Sequence, residues 1–156
     1  MLKRVLGRKF KRDASKPVLE NLAGELSAVL GGSPNWQWDD RLEAVLLQID
    51  SRQKEKVIAV LESYFSDYWN VLCDEELPDN IQRLILHFDG MNPEQLLFST
   101  DTREGDFLYC AWWPWKDGKT TSVRIAPDLS RLSAEQKLVR VRQIWQWFHI
   151  DDTSTV

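Results

Sequence analysis

Phe107-Leu-Tyr-Cys-Ala-Trp-Trp-Pro-Trp115, Lys116-Asp117-Gly118-Lys119 and Thr120-Thr-Ser-Val-Arg-Ile-Ala126 are two β-prone runs joined by a turn signal. Asp-Gly between such runs predicts a β-hairpin, because a two-residue type I′ turn needs positive φ at both centres. With Asp117 and Gly118 as the centres, Trp115 faces Thr120, Trp113 faces Ser122, Trp112 faces Val123, Ala111 faces Arg124 and Cys110 faces Ile125. Alternation along a strand then sorts the side chains. One face carries Leu108, Cys110, Trp112, Val123 and Ile125, which reads as core. The other carries Phe107, Tyr109, Trp113, Trp115, Thr120, Ser122 and Arg124. That mixture of aromatic and polar groups suits either a second packing layer or a binding surface. A three-residue loop would shift the register by one and exchange the two faces.

Outward from the hairpin, residues 95–100 read as a preceding strand and 102–105 as a turn, giving an antiparallel meander of three or four strands over about 95–126. Ser133 with Gln136 resembles a capping box. It opens a long amphipathic C-terminal helix over about 133–149, with Leu138, Val141, Ile144, Trp145 and Phe148 on one broad face. Upstream, apolar residues recur at helical spacing from Val18 to Leu30, and Gly31-Gly32-Ser33-Pro34 supplies a stop. Asp39 or Asp40 is placed to cap a second helix carrying Leu42, Val45, Leu46 and Ile49. A third helix starts at Ser51 and carries Val57, Ile58, Leu61, Tyr64, Phe65, Tyr68 and Trp69. Residues 81–88 fit a helix better than a buried strand, with Asp79 and Gln82 as a second capping-box pair. The fold class is α+β: several N-terminal helices, the meander and the C-terminal helix. The domain reading is a basic flexible arm over 1–16, one globular domain over 17–150 and a frayed tail over 151–156.

Charge is distributed unevenly along the 156 residues. The net charge is −4. Residues 1–16 hold Lys3, Arg4, Arg8, Lys9, Lys11, Arg12 and Lys16 against Asp13, a net of +6, so the rest of the chain carries −10. An acidic body argues against a wide nucleic-acid footprint, since phosphate neutralisation dominates such affinity. The arm itself (Lys3, Arg4, Arg8, Lys9, Lys11, Arg12, with Leu2, Val5, Leu6 and Phe10 on one side) suits an electrostatic contact. That contact is with an acidic partner, an anionic membrane surface held weakly, or phosphates. No apolar run approaches the ~20 residues of a membrane span. Cys73 and Cys110 are too few for a disulfide scaffold and fit a reduced, cytoplasmic setting.

No motif of catalysis or of cofactor or metal binding is present. Gly31-Gly32 is followed by Ser-Pro rather than Lys-Ser/Thr, and no Cys-x-x-Cys exists. His87 and His149 sit in no zinc spacing, and His149 suits the end of the last helix. The adjacent acids at Asp39-Asp40, Asp74-Glu75-Glu76 and Asp151-Asp152 share one environment each, unlike an acid–base pair. Eight tryptophans stand out instead. Tyr109, Trp113, Trp115 and Arg124 on the hairpin, with Trp36 and Trp38 near the start of the second helix, are the residue types that dominate binding surfaces. The sequence therefore points to a non-catalytic cytoplasmic binding or adaptor protein with a protein partner. The alternatives are a small enzyme with a site assembled in space from His, Cys and acids, and a peripheral contact through the arm.

Overall fold

The computed structural model describes residues 18–72, 76–103 and 107–156. The basic arm, Cys73, Asp74 and Glu75 lie outside them. In chain order the elements are α1 (Val18–Val29), β1 (Gln37–Asp39), β2 (Ala44–Asp50), α2 (Lys54–Tyr64), β3 (Asp67–Trp69), α3 (Asp79–His87), β4 (Leu96–Ser99), β5 (Leu108–Pro114), β6 (Thr120–Pro127) and α4 (Ala134–Phe148). A 3-10 turn, Asp152–Ser154, follows. The six strands form one antiparallel sheet in the order β1-β2-β6-β5-β4-β3, so the chain is α+β.

The β5–β6 hairpin has the expected register, with Cys110 opposite Ile125, Trp112 opposite Val123 and Trp113 opposite Ser122. Its turn differs from the type I′ expectation. Gly118 takes φ 68° but Asp117 does not take positive φ. Residues 116–119 form a four-residue loop, closed by the Trp115 N–H donating to the Thr120 carbonyl at 2.8 Å. The Asp117 carboxylate accepts from the N–H groups of Lys119 and Thr120 and from the Thr120 hydroxyl, at 2.8–2.9 Å. Those hydrogen bonds, the backbone ones first, hold its carboxyl below the usual range. Two-residue and four-residue loops have the same parity, so the assignment of faces is unchanged.

Four expectations about the elements are corrected. The sheet has six strands rather than three or four. Residues 44–50 are a strand, not part of a second helix. β2 lies between β1 and β6 with both faces covered, and Ala44, Val45, Leu46 and Leu47 are all buried. A strand of that kind reads as a continuous apolar run and hides its period of two. The helix from residue 51 stops at Tyr64, where Phe65 turns extended (φ −109°, ψ 122°). Residues 67–69 pair with β4 instead, which sets Phe65 and Tyr68 on either side of Phe98 at 6.3 and 6.1 Å. Residues 81–88 do favour helix, but Asp79 is no cap. Pro78 holds that position, and Gln82 donates to the Leu77 carbonyl at 2.7 Å.

The C-terminal helix begins as the sequence indicates. Ser133 Oγ accepts from the Gln136 N–H at 3.2 Å, and Gln136 Oε1 accepts from the Ser133 N–H at 2.9 Å. It ends at His149, which is held left-handed at φ 55°. That conformation costs an L-residue about 1–2 kcal/mol, while glycine there loses about 0.5–1 kcal/mol of chain entropy. His149→Gly is therefore expected to raise stability by about 0.5–1 kcal/mol, read as a higher urea midpoint at constant m.

Two layers flank the sheet. On one face α1, α2 and α4 pack over Val45, Leu47, Phe98, Cys110, Trp112, Val123 and Ile125. Leu22 and Leu26 of α1 are wholly buried there, each stabilising by about 1.5–3 kcal/mol relative to an exposed side chain. On the other face α3 sets Ile81, Leu84 and Phe88 against Leu97, Tyr109, Ala111 and Ala126. The tail, expected to fray, is ordered. Thr155 makes a parallel bridge to Trp38, and the Val156 N–H donates to the Trp38 carbonyl at 2.8 Å. It lies along the open edge of β1. No helix among the described residues is long and apolar enough to cross a membrane.

Candidate functional site

The second face of the hairpin is covered unevenly. α3 lies over one end, near β4 and the start of β5. Tyr109 is there in contact with Phe88 at 5.6 Å between ring centroids and is only 2% exposed. Further along β5, Trp113 is half-buried. Phe88 meets its ring edge-on at 5.3 Å, and the Arg124 guanidinium sits 4.5 Å from its centroid on the neighbouring strand. Arg124 Nε in turn donates to Asp39 Oδ2 at 2.8 Å, with the two side chains 17% and 11% exposed. The other Asp39 oxygen accepts the Leu42 N–H at 3.1 Å and so holds the β1–β2 turn. The Trp113 indole N–H is buried without a partner.

Trp115 lies beyond the reach of α3 and is 46% exposed. Its indole N–H donates to Ser122 Oγ at 2.8 Å across the hairpin. The ring is therefore presented to solvent yet fixed in direction. Lys116 and Lys119 flank it, both exposed, while the acid between them is engaged in the turn.

The six aromatic and cationic residues singled out in the sequence are thus not one surface. Trp36 and Trp38 are not at the start of a helix and are not on a binding surface with the others. They lie in and beside β1 on the opposite face of the sheet, buried under α4, where Trp36 meets Phe148 at 4.8 Å and Trp38 meets Trp145 at 6.0 Å. Tyr109 is packed under α3. Arg124 is engaged by Asp39 and Trp113, with little of it exposed. The arm residues Lys3, Arg4, Arg8, Lys9, Lys11 and Arg12 lie outside the described residues. Cys110 is fully buried, and burial pushes its thiol well up, which is the reverse of what a nucleophile needs. His149 ends α4. Among the described residues, no group of three or more His, Cys, Asp or Glu side chains is placed to hold a metal ion.

A pocket of about 170 Å³ was not foreseen from the sequence. It lies between α3, the β1–β2 turn and the connection from β6 to α4. Leu42, Leu84 and Leu129 line it, with Tyr109, Asp128 and Glu43 among its polar groups. Asp128 has a side chain only 5% exposed. It accepts the Ser130 N–H at 3.2 Å, and the half-exposed Arg83 guanidinium stands 3.5 Å away. Lys137 approaches Glu43 at 3.4 Å near the mouth. His87 also lines the pocket, with Nε2 3.3 Å from the Leu42 carbonyl oxygen. Neither carboxylate hydrogen-bonds to His87 among the described residues. Burial pushes the Tyr109 hydroxyl well above its ordinary pKa, and the charges of Asp128, Glu43 and Asp39 add to that shift. The single local signal in the sequence was Pro127-Asp128 after a strand, a turn-starting pair. The rest of the pocket comes from residues far apart in the chain.

Compared with protein-family models, curated proteins and solved structures, the chain matches none.

Proposed function

We propose that this chain is a binding protein that acts by docking rather than by catalysis, and that the end of the β5–β6 hairpin is its recognition surface. The observation that carries this is the state of Trp115: half in solvent, yet held by Ser122. An exposed indole locked in one direction loses little entropy when a partner covers it, and Trp is among the commonest anchors of protein interfaces. Trp113 and Arg124 form the firm layer beside it. Lys116 and Lys119 give the tip a positive character, so the partner is a protein segment with acidic residues around a large apolar side chain. Residues 17–156 carry a net −10, which turns such a segment away from the other surfaces of that part of the chain and favours the tip.

Selection from a random peptide library against the full chain, with Trp115→Ala as the counter-target, tests this. Acidic peptides carrying an apolar anchor are expected to be enriched, and to bind the variant about tenfold more weakly or worse. Circular dichroism should show the variant folded, since the ring is half-exposed. Enriched peptides that bind Trp115→Ala as well as the intact chain, or no enrichment at all, would remove the tip as the site.

A further inference from the structure

The pocket beside α3 contains unused hydrogen-bonding capacity in a buried place. Tyr109 is 2% exposed and lines it, yet its hydroxyl has no hydrogen-bond partner among the described residues. The hydroxyl is therefore free to meet whatever enters the pocket. Asp128, beside it in the lining, accepts one hydrogen bond, from Ser130 at 3.2 Å, although a carboxylate offers about four acceptor positions. Its ionic neighbour Arg83 is 3.5 Å away and half in solvent, so it is readily displaced. Leu42, Leu84, Leu129 and Pro127 supply the apolar part of its walls, and the volume of about 170 Å³ is close to that of cavities that admit a benzene ring.

We propose that this pocket binds a small organic ammonium ion, its head between Asp128 and Tyr109 and its apolar body against Leu42, Leu84 and Leu129. A primary ammonium has three N–H donors and no acceptor, which matches a carboxylate with acceptor positions to spare and a phenol oxygen that accepts nothing among the described residues. A carboxylate ligand of the same shape would instead bring its charge to buried Asp128, with Glu43 also in the lining. The Arg83 and Lys137 cations lie toward solvent, each already facing an acid. Binding would replace the long Arg83 contact by a shorter, charge-assisted one. The site is separate from the hairpin tip and does not depend on the docking role assigned to it.

The test is a titration of the full chain followed by amide NMR, with benzylammonium as probe and phenylacetate and benzyl alcohol as its anionic and neutral counterparts. Saturable shifts centred on residues 83–87 and 127–130 are expected with benzylammonium. Phenylacetate should bind at least about tenfold more weakly, the difference that one charge-assisted hydrogen bond makes. Asp128→Asn should weaken the ammonium about tenfold and Tyr109→Phe about fivefold. Since the Tyr109 hydroxyl holds nothing among the described residues, the Phe variant keeps the fold even where the Asn variant does not. Trp115→Ala should leave ammonium affinity unchanged, which separates this site from the tip. The proposal is overturned if phenylacetate binds as well as benzylammonium, if no saturation is reached by ~10 mM, a weaker affinity than a millimolar site would show, or if Tyr109→Phe changes nothing.

Discussion

Trp38→Ala is expected to lower the free energy of unfolding by about 3–5 kcal/mol, the range for removing a large buried aromatic side chain. The residue is 1% exposed. It sits beneath α4 against Trp145 and opposite Val45 on β2, and its carbonyl holds the C-terminal tail. Removing the indole leaves a void between sheet and helix that neither side can close without breaking its own contacts. The loss would appear as a lower denaturant midpoint with m unchanged. Trp38→Phe should cost markedly less, because the layer contact survives in part. A cost below about 1 kcal/mol for the alanine variant, the level of an ordinary surface change, would mean that β1 is not clamped by α4.

The second large effect falls on the Asp39–Arg124 pair. Asp39→Ala is expected to cost about 3 kcal/mol, because it strands a cation on a mostly covered sheet face. It also removes the acceptor for the Leu42 N–H, which is what holds the β1–β2 turn. Arg124→Met in the same chain should recover part of the loss, since the uncompensated charge goes while the apolar stem over Trp113 stays. A double-mutant cycle by urea denaturation reads the coupling directly. Strict additivity of the two changes would show that the pair is held by its surroundings and contributes nothing of its own.

How far the chain could be read in advance depended on whether its signals were local. The Asp117-Gly118 turn, the Ser133/Gln136 capping box and the Gly31 stop each act within a few residues, and all three mark real element ends. The strand 44–50 was misread because its longer pairing is with β6, a distant segment, and because both of its faces are covered. Its apolar run carries no mark of the pairing that makes it a strand. Trp36 and Trp38 were misplaced for the same reason: nothing near them in sequence says that α4 will cover them. The hairpin faces were assigned correctly, and the helix that covers the second face is α3. That choice buries Tyr109 and leaves Trp115 out. The pocket was invisible because Glu43, Tyr109 and Asp128 meet only through the sheet and the helix packed on it.

The neighbouring of β2 and β6 has a consequence for synthesis of the chain. Residues 44–50 leave the ribosome long before residues 120–127, their central partner, exist. Until then the β1–β2 hairpin has an open inner side and an apolar run left to α1, α2 or a chaperone to shield. Thr155 must also emerge before the outer edge of β1 is closed. The sheet therefore cannot be finished segment by segment as the chain appears. It closes at a rate set by bringing together strands far apart in sequence. The nascent first half is the stage at which this protein is most exposed to misassembly.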